Sequence, residues 1–413
     1  MLSSWLRRYL DAPVGSRLAV AFVLGGIAGW VVGPPVVVLR PLGDVFIRLL
    51  TVLVLPVVVC TIITGLGSVT PRVLSQVGVR STLLYLGTSV GATTLGIAAA
   101  LLTRPGVGMQ LPGTAPRPPA PSLGSLLAGA VPTNVVAAMA EGQLLPVIVF
   151  TVPFALAIAA LRQSDRSRDA DTVHAFFDGC GRASFVLLRG VTQYAPVGTF
   201  ALAAITFGQQ SARVLTQFAN VLFTLYLAQG VLCAGLLLLL AVSVPAGALV
   251  PGVRDVLVTA FVTGSSAATL PVELEAAEHR FRIDRGVLAF TLPLGLAINK
   301  VGSAVYFGVV SVFAANPAGV ALVPAHLGAI FVLAWVGSVI TPPVGSGALL
   351  VLGFVFSQAG LPVEAVGVIA AIPFAGRLNT PANSLGRLAT TALVARATRP
   401  SPAPLRAGAW DAT

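Results

Sequence analysis

Lys300 is the only lysine among 413 residues. It lies inside an apolar run from Val287 to Ala314, in the stretch Thr291-Leu-Pro-Leu-Gly-Leu-Ala-Ile-Asn-Lys-Val-Gly-Ser303. A charge at the centre of a membrane span costs about 2.5–3.5 kcal/mol on insertion scales, so such a residue marks a functional site by default. An ammonium can donate to carbonyl oxygens or to an anion, and unlike a guanidinium it can give up its proton. Two arginines, Arg377 and Arg387, follow it. From Arg285 to the C-terminus the acidic residues are Glu364 and Asp411, and neither is near Lys300 in sequence. Buried charges are usually paired. An anionic substrate would supply part of that pairing. Within the chain, Glu273 and Glu275 are the alternative partners for one of the arginines.

Covalent and metal chemistry find no support. Cys60, Cys180 and Cys233 are widely spaced in apolar contexts, and His174, His279 and His326 fall near predicted loops and hairpin ends. None of them forms a zinc, disulfide, triad or phosphate-loop pattern. The expectation is a protein that is not an enzyme and needs no cofactor or metal.

The elements that position these groups are membrane helices. Hydrophobic residues make up 56% of the chain and charged residues 9%, against about 25% charged in a soluble domain. Candidate spans are Val14–Val32, Val45–Leu66, Leu83–Leu102, Leu145–Leu161, Ala183–Phe207 and Val214–Val244, each near the roughly 20 residues a span needs. Pro34, Pro35 and Pro41 stop the first helix, which is read as retained rather than cleaved. The segment Thr103–Ser122 is a Pro-, Gly- and Arg-rich loop. The net charge of +11 comes from arginines, many in short loops. That is the positive-inside pattern, with both termini cytoplasmic. A basic face with interleaved aromatics on a soluble domain is not visible, so no nucleic acid is expected.

The second half repeats a motif. Ala248–Ala276 is interrupted by Thr263-Gly-Ser-Ser-Ala-Ala-Thr-Leu-Pro271, and Ala318–Phe356 by Ser338-Val-Ile-Thr-Pro-Pro-Val-Gly-Ser-Gly347. Each is followed by an apolar helix, Val287–Ala314 and Val363–Ala395. A broken hairpin followed by a helix with a polar middle, occurring twice, predicts inverted repeats with a binding site at the midplane. Gly and small polar residues at a hairpin tip let backbone groups face a ligand.

These residues resemble the dicarboxylate/amino acid:cation symporter family, the glutamate-transporter homologues, over nearly the whole chain. Pro41-Leu-Gly-Asp-Val-Phe-Ile-Arg-Leu-Leu50 with Leu55-Pro56 resembles the family's second helix, and Tyr85-Leu-Gly-Thr-Ser89 the third. Val131-Pro-Thr-Asn134 and Gly142-Gln-Leu-Leu-Pro146 resemble the fourth, and Gln193-Tyr-Ala-Pro-Val-Gly198 the fifth. Ser265-Ser-Ala-Ala-Thr-Leu-Pro271 resembles the first hairpin tip, and Leu292-Pro-Leu-Gly-Leu-Ala-Ile-Asn299 the seventh helix. The resemblance implies an all-α polytopic membrane protein with eight transmembrane helices and two re-entrant hairpins. It implies a homotrimer in the inner (plasma) membrane, in contact with lipid, working as an elevator. Residues 1–70 would hold the first two helices, 71–122 the third helix and loop, 123–211 the fourth and fifth helices, and 212–245 the sixth. Hairpin 1 would occupy 246–285, the seventh helix 286–316, hairpin 2 317–360, the eighth helix 361–398, and a cytoplasmic tail 399–413. The first, second, fourth and fifth helices are the expected scaffold; the remainder is the expected moving part.

By the same resemblance the substrate meets Ser265, Ser266 and Thr269 at the first tip and Pro343, Val344 and Gly345 at the second. On the eighth helix it meets Arg377, Asn379, Thr380 and Asn383. The departures are informative. Where the family has Asn-Met-Asp-Gly-Thr, this chain has Asn299-Lys-Val-Gly-Ser303, and where it has Asn-x-x-Gly-Asp, this chain has Asn383-Ser-Leu-Gly-Arg387. Sodium-site carboxylates thus become Val301 and Arg387. The aspartate that holds a substrate amino group falls on Gly376, and the arginine that holds a side-chain carboxylate falls on Asn379. Hard cations take oxygen ligands, usually with a carboxylate. The expectation is that Lys300 and Arg387 stand in for bound sodium, near Asn299 and the third-helix oxygens of Tyr85, Thr88 and Ser89, which could contact Lys300. Transport would be independent of sodium, and the substrate a small mono- or dicarboxylate. Two alternatives stay open: a sodium- or proton-coupled amino acid symporter, and an anion-conducting pore on the same fold.

Overall fold

The computed structural model describes residues 14–67, 76–109, 121–209, 213–344, 347–372 and 374–398. Gly345, Arg7, Arg8, Arg72, Arg399 and Arg406 lie outside them. The described residues are helical, with no strand. Helix α1 is Val14–Val32, and a 3₁₀ turn at Pro34–Leu39 leads into α2, Arg40–Gly67. Then come α3 (Gln76–Thr103), α4 (Leu123–Ala128), α5 (Val135–Ala140), α6 (Leu144–Leu161), α7 (Ser167–Gln209) and α8 (Arg213–Ala241). The second half contains α9 (Ala246–Thr263), α10 (Ser266–Glu275), α11 (Arg285–Ile298), α12 (Val301–Ala315), α13 (Pro324–Ile340), α14 (Gly347–Gln358), α15 (Glu364–Ala370) and α16 (Asn379–Thr398).

By length and composition, six stretches among the described residues can cross a membrane: Pro34–Gly67, Val77–Thr103, Leu144–Leu161, Leu215–Ala241, Ala246–Thr263 and Arg285–Ala315. The shorter apolar helices Ser16–Val32, Pro324–Ile340 and Gly347–Gln358 accompany them.

The helices sort into two packed groups. In one, α1, α2 and α6 lie against α7 or against one another. Close approach there uses glycine: a Cβ on Gly29 would run into the Ala204 carbonyl of α7. In the other group α12 is the centre. Every residue from Val301 to Ala315 is buried, as expected for a helix that is apolar all round. Helices α3, α8, α13, α14 and α16 surround it. A Cβ on Gly96 of α3 would collide with the Val305 carbonyl of α12, so the two backbones touch.

The breaks differ in detail from the sequence expectation. The first hairpin turns at Gly264 and Ser265 alone, and Thr269 to Pro271 remain in α10. Gly264 adopts the left-handed conformation, φ 61°, and its N–H bonds the Ala260 carbonyl. Ser265 caps α10 through the Ala268 N–H. The run Val287–Ala314 is two helices, broken at Asn299 and Lys300, whose ψ angles of 89° and 53° leave the helical region. The break frees the last carbonyls of α11, and Lys300 uses one of them. The final run is likewise split, into α15 and α16. Each hairpin is therefore followed by a discontinuous helix.

Candidate functional site

Lys300 is 1% exposed. Its Nζ donates to the Thr341 carbonyl at 2.8 Å and lies 3.5 Å from the Ala297 carbonyl. Thr341 ends α13, in the turn of the second hairpin; Ala297 is in the last turn of α11. The ammonium thus ties a helix end to a hairpin tip through main-chain oxygens. Among the described residues it has no carboxylate partner.

Arg387 behaves differently. It and Glu273 both have fully buried side chains. Arg387 Nε donates to Glu273 Oε2 at 2.8 Å and Nη2 donates to Oε1, a two-pronged pair between α16 and α10. Nη2 also reaches Ser384 Oγ at 3.1 Å. The charge balance expected for Arg387 is corrected here: its counter-charge is Glu273, within the protein, and not a substrate. A buried pair repays its desolvation only with good geometry and satisfied donors; this pair is bidentate, while Arg387 Nη1 is buried with no partner among the described residues.

The third-helix oxygens do not gather on Lys300. Tyr85 donates to the Thr291 carbonyl at 2.9 Å and meets Thr391 Oγ1 at 3.2 Å, while Thr391 reaches Thr291 Oγ1 at 3.1 Å. Thr88 bonds the Tyr85 carbonyl of its own helix. Ser89 Oγ and both amide atoms of Asn299 are buried with no hydrogen-bond partner among the described residues. Tyr85 packs against the middle of α11, its hydroxyl on Thr291 and beside Gly295, and not on Lys300.

The predicted substrate residues do converge. Ser265 Oγ donates to the Pro343 carbonyl at 3.0 Å and the Ala267 N–H joins it at 3.2 Å, so the two hairpin tips touch. Ser266 and Thr269 are buried, and Thr269 Oγ1 bonds the Ser265 carbonyl. Val344 N–H closes the second tip onto the Pro342 carbonyl at 2.8 Å. Thr380 donates to the Gly264 carbonyl at 2.9 Å. Asn383 Oδ1 accepts the Gly302 N–H at 2.8 Å, capping α12. Arg377 stands at the edge, with Nη2 3.3 Å from the Val262 carbonyl and its guanidinium 5.2 Å from the Phe261 ring centre.

Asn379 brings in a residue that sequence reasoning missed. Its Oδ1 accepts from Gln229 Nε2 of α8 at 2.8 Å. The available signal was an amide in the middle of a long apolar helix. The histidines stay apart from the site: His174 meets the Thr64 carbonyl, His326 the Ala321 carbonyl, and His279 lies in the π turn after α10. Among the described residues no group of three or more His, Cys, Asp or Glu side chains could hold a metal.

Two hairpin tips and a helix start meet here, with Lys300 behind the second tip, Arg377 at the edge and the Arg387–Glu273 pair balanced within itself. Comparison with known proteins bears on this. A profile of the sodium:dicarboxylate symporter family matches residues 15–397. The proton/sodium-glutamate symport protein of Bacillus subtilis is 28% identical over 377 residues, 87% of this chain and 86% of that protein. The proton/glutamate-aspartate symporter of Escherichia coli is 29% identical over 302 residues, covering 69% and 68%. A C4-dicarboxylate transport protein of Burkholderia thailandensis is 28% identical over 321 residues, covering 74% and 73%.

Proposed function

Since the chain belongs to the sodium:dicarboxylate symporter family, and so to multi-pass membrane transporters, we propose that it moves a small carboxylate, a C4-dicarboxylate first of all, without using sodium. The observation that carries this reading is the 2.8 Å bond from Lys300 Nζ to the Thr341 carbonyl. An ammonium on the chain holds the second hairpin tip against the end of α11. A bound cation could serve the same oxygens, but this one cannot dissociate. The other expected cation position is closed as well, because Arg387 is neutralised by Glu273. Among the described residues no carboxylate pairs with Lys300, and the one at Arg387, that of Glu273, is already engaged. With no sodium step, the cycle is exchange or is driven by protons.

The substrate class follows from the charges that remain. Val301 and Gly376 stand where the resemblance implies carboxylates, so nothing there recognises an ammonium. The hairpin tips, Thr380 and Asn383 would hold one carboxylate, with Arg377 at the rim. The protein would work as a homotrimer in the plasma membrane, both termini cytoplasmic. It would have eight spans and two re-entrant hairpins, the hairpins with α3, α8, α11, α12, α15 and α16 sliding past α1, α2, α6 and α7.

The test is uptake of labelled C4-dicarboxylate and acidic amino acids into proteoliposomes, in sodium, in potassium, and under a proton gradient alone. Equal dicarboxylate rates in sodium and potassium are expected. A clear sodium requirement would overturn the reading. Saturable counterflow is also expected, and its absence would favour a pore.

A further inference from the structure

Gln229 is 1% exposed within the apolar helix α8. Its Nε2 donates to two acceptors, the Gly302 carbonyl at 3.1 Å and Asn379 Oδ1 at 2.8 Å. A main-chain carbonyl can only accept, so the nitrogen of Gln229 must face it. The same nitrogen then fixes Asn379 with its oxygen inward. Gln229 Oε1 is buried with no hydrogen-bond partner among the described residues. An unsatisfied amide oxygen in an apolar span costs free energy that a leucine would not. Packing alone does not call for an amide here.

With its oxygen held, Asn379 must turn its NH₂ the other way. That nitrogen has no acceptor among the described residues. It lies 3.3 Å from where a Cβ on Gly376 would stand, and Gly376 is exposed. The neighbouring Thr380 bonds the Gly264 carbonyl at the first hairpin turn. The free NH₂ therefore faces the space beside the tip that a side chain at position 376 would fill. The donor is present, and no acceptor for it stands among the described residues.

Resting on the carboxylate-transport reading above, we propose that Gln229 is a specificity-determining positioning residue. It locks Asn379 with its NH₂ outward, so that the substrate group seated beside Gly376 is a hydrogen-bond acceptor, a second carboxylate and not an ammonium. Gln229 touches no substrate itself; it acts through Asn379.

The test uses the full chain in proteoliposomes, with labelled succinate as probe and unlabelled succinate and its half-amide as competitors. The half-amide offers either an oxygen or an NH₂ at its far end, whereas succinate offers oxygen only. In Gln229→Glu the protonated acid would donate its O–H to the Gly302 carbonyl and present Asn379 with its other oxygen, and Asn379 turns over to show its own oxygen outward. Succinate should then weaken about tenfold, equivalent to about 1.4 kcal/mol, while the half-amide changes less than about threefold. Gln229→Leu, apolar and of similar volume, keeps the fold if the acid does not. It frees Asn379 to rotate, and the succinate preference over the half-amide should shrink. Equal weakening of both ligands in both variants, or no change in either, would overturn the proposal. If the unaltered protein takes up no succinate, the carboxylate reading fails first and is seen to fail separately.

Discussion

Arg387 of α16 and Glu273 of α10 are 114 residues apart and meet as a bidentate ion pair with both side chains fully buried. The pair fastens the second arm of the first hairpin to the helix that carries Asn379, Thr380 and Asn383.

Breaking it from one side strands a charge. Glu273→Gln or Arg387→Gln alone should cost about 3–5 kcal/mol. The apolar double variant, Glu273→Leu with Arg387→Met, should recover most of that. Thermal unfolding of the purified protein in detergent checks this. Additive losses in the double variant would mean that the two residues do not depend on each other.

Lys300→Met removes the donor from the Thr341 carbonyl. Hydrogen bonds to charged groups contribute about 1.5–3 kcal/mol, so succinate affinity should fall about tenfold or more as the second tip loosens. Added sodium should not restore it, because neither Val301 nor Arg387 can serve as a carboxylate ligand. Ligand-induced thermal shifts in sodium and in potassium read both effects, and full rescue by sodium alone would count against the tethered-cation account.

Ser265→Ala deletes the cap of α10 and the bond to the Pro343 carbonyl together. A lost cap costs about 1 kcal/mol. The effect should stay local, seen as faster hydrogen exchange at both hairpin tips with little change in α12. Unchanged exchange at the second tip would show that Ser265 does not hold it.

Gly96→Leu places a side chain against the Val305 backbone, where there is no room. Overpacking of this kind costs about 1–3 kcal/mol, and here neither backbone can retreat without moving α12. A lower thermal midpoint and poor recovery of folded protein are expected, whereas Gly87→Ala, with open space around it, should behave as the unaltered chain.

Much of this architecture was legible because apolar length and helix-stopping residues are local signals. Val14–Val32 is both the expected span and the observed helix. The two broken hairpins were legible from Gly264-Ser265 and Pro342-Pro343. The break at Asn299 and Lys300 was not, since both residues are tolerated in a helix. It follows from the ammonium's need for carbonyl oxygens, which an intact helix keeps to itself. Partner choice was equally hidden. Glu273 was one of two candidates, and Gln229 is 150 residues from Asn379. Such meetings are decided by packing between helices, which a single chain of letters does not display.

Lys300 also changes how membrane voltage acts on the protein. Glu273 and Arg387 cancel as a pair, so among the described residues Lys300, whenever it is protonated, is the net charge left at this site. Moving one elementary charge through the full field is worth about 2.3 kcal/mol per 100 mV. Any displacement of this centre along the membrane normal is therefore biased by the resting potential even when it carries nothing. With the lysine protonated, a bound monoanion would cancel that bias and a dianion would reverse it, so only a dianion-loaded carrier would be pulled opposite to the empty one.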